Sequence, residues 1–458
     1  MKKVLGVIAA SLLMTAPALA QEIPQPTPTA PAYNCDYMPS CEVAPGIYGA
    51  MASPVKSKFN LSIGGFVKLD YAYNSVNLGN SGALTPGTGV MPKAGSTAYK
   101  QDQSIFTARQ SRLWFKVAGP TFLGAKTNAL IEADFYGDPA AASESPQFRM
   151  RQAWGSLDWA KTSVMFGQAY DIFGPMIAST IDFRSGATYG TPNNPRVPQI
   201  RLTQMVDLGA GNSLKLVAGV QDPNQFGNNN NAASGTYGST VNAAGQVMFI
   251  SKALGVSPGY FGLSMNNLTF GAFGLYGSEK APSNANHHLD SWGYGAYTFV
   301  PVLKSKDGKS RAMTMTLEGQ AYMAANMNFN AATGGTATPT AVSGIFSAAG
   351  NQAPAKGYGV AGQLMFFPTQ DLGITAGYGL RNAYNYASYS GITNFQKKNQ
   401  QIYANVSYDL NAAVRVAAEY QNIKTEYGNP GIGAAPNLDS TAATGTANII
   451  RLAAFYFF

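Results

Sequence analysis

Residues 449–458 read Ile-Ile-Arg-Leu-Ala-Ala-Phe-Tyr-Phe-Phe. Ile450, Leu452, Ala454, Tyr456 and Phe458 fall on one face of an extended chain, because strand side chains alternate with a period of two. An apolar face that closes on aromatics suits a lipid band and its interfacial girdle. The same period governs residues 66–73. There Val67, Leu69, Tyr71 and Tyr73 share one face, and Phe66, Lys68, Asp70 and Ala72 share the other.

Segments of this kind recur between the two. Sixteen are legible, near 60–74, 104–117, 127–137, 147–157, 163–170, 199–207, 213–221, 245–252, 267–277, 290–300, 311–324, 356–367, 372–385, 397–409, 413–425 and 446–458. Their connections alternate in length. Polar Gly/Asn/Ser-rich links fall near 75–103, 171–198, 222–244, 325–355 and 426–445, with short turns such as 209–212, 368–371 and 411–412 between them. Tight periplasmic turns and long external loops are the habit of outer-membrane barrels. Two turns, near 253–266 and 301–310, are longer than that habit prefers. A soluble propeller would repeat a blade of about 40 residues with a recurring signature, and none is present. The expected fold is all-β: a transmembrane antiparallel barrel of sixteen strands, both termini periplasmic, with its third external loop folded inward.

Composition agrees. Charged residues make up 12% of the chain, against about 25% in an ordinary soluble domain. Aromatics also reach 12%, glycine numbers 50, and no segment after the first twenty residues approaches a helical membrane span. Residues 1–20 read as a signal peptide: Lys2 and Lys3, an apolar stretch, then Ala18-Leu19-Ala20. A Pro-rich periplasmic leader over 21–59 precedes the barrel at 60–458. Cys35 and Cys41 lie in that leader, where a disulfide is the favoured reading and a metal site with Met38 the weaker one.

The sequence also resembles known proteins. Its terminal strand is similar to that of bacterial outer-membrane proteins, whose final aromatic, here Phe458, is read by the barrel-assembly machinery. Residues 62–170 resemble the DcaP-like trimeric porins. The likeness rests on Gly64-Gly65-Phe66-Val67-Lys68-Leu69-Asp70, Ala108-Arg109-Gln110-Ser111-Arg112-Leu113-Trp114-Phe115-Lys116, 131–137, 149–155 and Gly167-Gln168. It implies an outer-membrane homotrimer of sixteen-stranded channels for small anions, notably dicarboxylates, set among lipid and lipopolysaccharide. Those porins often carry a coiled-coil leader where this chain has its Pro-rich segment.

Little in the sequence supports catalysis. His287 and His288 are the only histidines and fall in an expected external loop. No phosphate loop, zinc spacing or nucleophile motif is present, and no cofactor is expected. The net charge of +8 drops to +6 without Lys2 and Lys3, and it lacks the basic runs of a nucleic-acid binder.

The informative charges lie within strands. Alternation turns Arg112 and Lys116, then Glu132 and Asp134, then Arg149 and Arg151 toward the lumen, with Arg201, Lys215, Arg381, Arg415 and Arg451 on later strands against Glu318 and Glu419. Facing a Lys or Arg to lipid at the midplane costs about 2–4 kcal/mol, so a lumen is their place. Rings of basic groups favour anions in pores. Glu132 and Asp134 read equally well as cross-strand ion pairs that stiffen the wall. In the 171–198 loop, large apolar groups accompany Arg184 and Arg196, and folding inward would bring Arg184 to the narrowest section. Strict alternation points Arg109 at lipid unless it sits at the rim or the strand bulges there. The expected function is passive diffusion of small hydrophilic solutes, preferring anions such as small carboxylates. The alternative is a structural or adhesive barrel whose loops bind an external partner.

Overall fold

A computed structural model describes residues 59–79, 90–137, 146–183, 190–192, 196–222, 240–281, 284–325, 345–346, 352–353, 356–384 and 393–458, with backbone alone at 279–281, 284–289, 345–346 and 352–353. The signal segment, the leader up to residue 58, Cys35, Cys41 and Arg184 lie outside these residues.

Strand β1 spans Asn60–Asn74, and β2 has two arms, Gln103–Thr107 and Arg112–Ala118, both paired with β1. Then come β3 (Lys126–Asp134), β4 (Arg149–Asp158), β5 (Thr162–Tyr170), β6 (Arg196–Gly209) and β7 (Asn212–Gln221). β8 (Asn242–Pro258), β9 (Met265–Ala281), β10 (Asn284–Leu303) and β11 (Thr314–Ala325) are longer on average. β12 (Lys356–Phe367), β13 (Leu372–Ala383), β14 (Phe395–Asp409), β15 (Val414–Gly428) and β16 (Thr444–Phe457) complete the wall. Each strand pairs antiparallel with its sequence neighbours, and β16 returns to β1 from Phe66↔Phe457 to Asn74↔Ile449. Counting the two arms of β2 as one, the wall is a closed barrel of sixteen strands. Closure leaves no unpaired edge, the condition for a sheet to cross a bilayer.

The two faces differ as lipid and lumen require. Val67, Ile131, Phe166, Ile200, Val247 and Ile402 expose half or more of their surface outward, while Lys68, Asp70, Glu132 and Gln363 on the other face are buried. Such an apolar exterior is a lipid-facing band.

Connections at one end are 119–125, 159–161, 210–211, 259–264, 304–313, 368–371 and 410–413; those at the other are mostly longer. The exception is the β9–β10 hairpin, whose ladder continues to Ala281↔Asn284. His287 and His288, expected in an external loop, therefore stand on a strand. Backbone pairing continues there through a polar stretch that lacks the alternation by which the other strands are legible. The turn expected near 253–266 likewise narrows to 259–264, because β8 and β9 extend into it.

Two local irregularities re-aim charged side chains. Between its arms β2 breaks, and the Ser111 hydroxyl stitches the gap, accepting from Lys68 N at 2.9 Å and lying 3.4 Å from Lys68 O. Arg109, which strict alternation aims at lipid, is thereby turned inside, 1% exposed, with its guanidinium 4.7 Å from the Tyr136 ring. Between β3 and β4 the register slips past Glu132, leaving Arg151 as the extra residue of β4, so Arg151 and Gln152 both reach Glu132. That is the work of a β-bulge.

Candidate functional site: the barrel lumen

The segment Asp171–Phe183 follows β5 and lies against the inner wall. Its backbone is held by wall side chains from distant strands. Gln246 Nε2 donates to Ile172 O, Gln320 Oε1 accepts from Met176 N at 3.0 Å, and Gln363 Oε1 accepts from Ser179 N at 2.8 Å. Glu419 Oε2 accepts from Ile181 N at 2.9 Å, and Lys68 Nζ donates to Ile181 O at 2.6 Å. A non-repetitive segment inside a barrel must find partners for its buried N–H and C=O groups, and these supply them. Ile172 and Phe173 pack against Phe273 and Tyr322, and Ile181 against Phe66, Phe455 and Phe457. The large apolar residues that made this loop unusual are what glue it inward.

A charged network anchors the far end of the segment. Lys68 pairs with Asp70 at 2.7 Å; Arg451 lies 3.7 Å from Asp182 and 3.8 Å from Glu419. All five side chains are almost wholly buried.

A second network joins most of the residues expected to line the pore. Arg149 grips Asp134 with two bonds, Nε–Oδ1 at 2.9 Å and Nη2–Oδ2 at 2.6 Å. Arg151 bridges Glu132 at 2.5 Å and Asp134 at 2.8 Å, and donates to the Tyr170 hydroxyl at 2.9 Å. Arg112 stands 3.9 Å from Glu132 and lies over the Phe66 ring. Arg109 and Arg149 both face Tyr136, and Arg196 faces Tyr170 at 5.7 Å. Among the described residues, three guanidiniums thus contact the two carboxylates and two more stand over the adjoining tyrosine rings, five positive charges against two. Arg112 and Arg151 are buried; the Arg149 side chain is 37% exposed. Lys116 sits four residues from Arg112 toward the short-turn end, half-buried. Arg201 is tied to the Tyr170 carbonyl at 2.6 Å and to Gln199.

Beside the loop, a void of about 430 Å³ opens among Pro175, Lys215, Gln246, Tyr260, Tyr297 and Glu318. Asn405 Nδ2 also donates to Ser179 O at 2.7 Å; the charges were legible in the sequence, whereas Tyr136, Tyr170 and the anchoring amides Gln246, Gln320, Gln363 and Asn405 were not. A neutral amide on an inward face carries no signal beyond its polarity, so nothing distinguished these from water-facing residues.

Outside the membrane, segments near Lys93 and Asp439 latch together. Thr97 donates its backbone N–H and hydroxyl to Asp439 at 2.8 and 2.5 Å, holding that carboxyl below the usual range. A depressed carboxyl stabilises above its ordinary titration range and stops doing so as pH falls through its lowered value. Acidification through that lowered value, below the ordinary carboxyl range, is therefore expected to release the latch. Hydrogen exchange at the Thr97 amide, corrected for its intrinsic pH dependence, would read this; equal protection at both pH values would refute it.

No protein-family model matches the sequence, and no curated protein matches it. Solved structures do resemble it. The outer membrane channel DcaP of Acinetobacter baumannii aligns over 88% of this chain and 99% of its own, at 19% identity and a TM-score of 0.62. The anion-selective porin from Comamonas acidovorans aligns over 87% and 100%, at 10% identity and 0.52. OprB of Pseudomonas putida aligns over 86% and 94%, at 12% identity and 0.50. At these identities the likeness is one of fold, the barrel of the outer-membrane porins. With its apolar exterior, that barrel makes the chain an outer-membrane protein.

Proposed function

We propose that this porin-fold barrel is a passive channel for small hydrophilic solutes that prefers anions, small carboxylates among them. The surplus of guanidiniums around Glu132 and Asp134, beside an inward-held loop, carries the reading. In a narrow passage a unit charge about 4 Å from an ion is worth ~4 kcal/mol at an effective dielectric of ~20. Glu132 and Asp134 offset part of it, so preference rather than exclusion is expected. Arg149, more exposed than the buried Arg112 and Arg151, meets the ion first; Arg112, Arg151, Glu132 and Asp134 set the field behind it, and Lys116 and Arg201 extend it.

The test is reversal potential in a salt gradient across a planar bilayer. The wild type is expected to be anion-selective, and Arg149→Ala, Arg151→Ala to shift toward the cation side. Cation selectivity in the wild type would end the proposal. A folded barrel without conductance would favour the structural or adhesive alternative.

Assembly as a homotrimer belongs to the same proposal. Its support is the break in β2: irregular backbone at membrane depth is tolerated where protein covers it. Phe458, whose backbone pairs both ways with Gly65 at 3.0 and 3.1 Å, is the proposed recognition point for barrel assembly. There is no room for a side chain opposite: a Cβ on Gly65 would lie 2.4 Å from Arg112 O and 2.6 Å from the Phe458 ring. Gly65→Val is expected to reduce the yield of folded barrel severalfold, read as heat-modifiable mobility on a gel. Wild-type yield would contradict the tight closure.

A further inference from the structure

Arg381 lies on the inner face of β13, 6% exposed, and among the described residues makes no ion pair and no hydrogen bond. Arg112, Arg151, Arg415 and Arg451 are buried to a similar degree, yet each has a carboxylate within 3.9 Å. A buried guanidinium left without counter-charge is costly, so its surroundings are the question.

The register supplies them. Arg381 stands opposite Gly359 on β12 and Asn399 on β14, with Tyr322 beyond Gly359 on β11. The adjacent inward row runs Gln320, Ala361, Gly379, Gln401 across the same four strands. Gln401 is fully buried, and among the described residues neither its amide nitrogen nor its oxygen has a partner. Gln320 accepts from Met176 N through Oε1, but its Nε2 donates to nothing. Between the two amides the floor is only Ala361 and Gly379, with Gly359 beside them. Above it passes Gly190, so close that a Cβ there would come 2.0 Å from Val360 O. The row holds no carboxylate. Glu318, one row away, is already bonded to Gln363 at 2.6 Å and Tyr297 at 2.8 Å.

Arg381, Gln320 and Gln401 thus face one inward surface floored by residues without side-chain bulk, and among the described residues Arg381 has no counter-charge and neither amide NH2 has an acceptor. Water alone would satisfy the amides; it would leave the charge unbalanced. We infer that this niche binds a small anion, a halide or the carboxylate of a solute, with Arg381 as counter-charge and Gln320 and Gln401 as flanking donors. The inference deepens the anion-channel reading by giving the lumen a resting site apart from the Glu132/Asp134 network, although the niche itself stands on burial and register.

Two measurements on the full chain test it. In crystals grown in bromide, an anomalous peak is expected beside the Arg381 guanidinium and is expected to be absent in Arg381→Gln. In detergent, the thermal midpoint is expected to rise as bromide replaces a bulky sulfonate at constant ionic strength, and this rise to vanish in Arg381→Gln. Should that variant fail to fold, Gln401→Leu, which keeps the charge, is expected to weaken the peak. Displacement of the peak by acetate assigns the site to carboxylates as well; its persistence in acetate assigns it to halide. An empty niche at saturating bromide, or an equal peak in Arg381→Gln, overturns the inference. A conducting barrel with an empty niche would remove this site alone, and a bromide-bound barrel that does not conduct would remove the channel alone.

Discussion

Replacing Glu419 with alanine is expected to destabilise the folded barrel by about 3–5 kcal/mol, the usual cost of breaking a buried charge network on one side. Glu419 is 3% exposed, accepts from Ile181 N at 2.9 Å and Asn405 Nδ2 at 3.0 Å, and is one of two carboxylates beside Arg451. Alanine removes an acceptor from the loop backbone and a counter-charge from the wall in a single change. Glu419→Gln keeps the shape and one acceptor oxygen, so a smaller loss of about 1–3 kcal/mol is expected. Denaturant unfolding in detergent micelles separates the two. The same alanine variant should also show a noisier single-channel current, because Ile181 is then less firmly held. Unfolding at the wild-type denaturant concentration would mean that the loop does not depend on this anchor.

How much of this was legible beforehand follows from what enforces each feature. Lipid demands an apolar side chain at every second position, so β1 and β16 could be read residue by residue and the strand count followed. That constraint lapses where alternation lapses, which is why the β9–β10 ladder running past His287 and His288 read as a loop. It also fails where backbone irregularity intervenes. Arg109 looked misplaced because a period of two cannot foresee a strand that breaks for four residues and resumes, although the polar pair Gln110-Ser111 inside an apolar-outward strand was a hint. Charges were legible as inward-facing, but their division of labour was not. Lys68, Asp70, Glu419 and Arg451 hold the loop, whereas Arg149 remains partly open to the lumen. That distinction depends on which residues the loop covers, a tertiary fact with no sequence period. The apolar content of 172–183 was legible as unusual, since exposed groups of that size have no stable place in water; that Phe173 packs on Phe273 and Tyr322, and Ile181 on Phe66, was not.

The largest effect on the passage itself is expected from Phe261. Three separate segments fill the lumen along the wall formed by β14, β15, β16 and β1. Met91 packs on Ile423, Ala447 and Ile449, and Ile181 with Phe183 packs on Phe66 and Phe455. From the short-turn end, Phe261 rises to meet the loop, its ring 5.4 Å from that of Phe183. Its carbonyl accepts from Arg415 Nη1 at 3.2 Å, and its N–H reaches Ser179 Oγ at 3.4 Å. Phe261 adopts φ 51, a conformation that costs a residue with a side chain about 1–3 kcal/mol. Strain of that size persists only where the surroundings impose it, and here the imposition comes from elements entering by opposite ends of the barrel. Phe261→Gly removes the ring and the strain together, so the barrel is expected to fold while the passage widens. Single-channel conductance should rise severalfold, and larger neutral polymers should enter the pore than enter the wild type. Phe261→Leu keeps most of the volume and should leave conductance near the wild-type value. Unaltered conductance in a folded Phe261→Gly barrel would mean that ions pass farther along the wall, beside Arg149 on β4, without sensing the point where turn and loop meet.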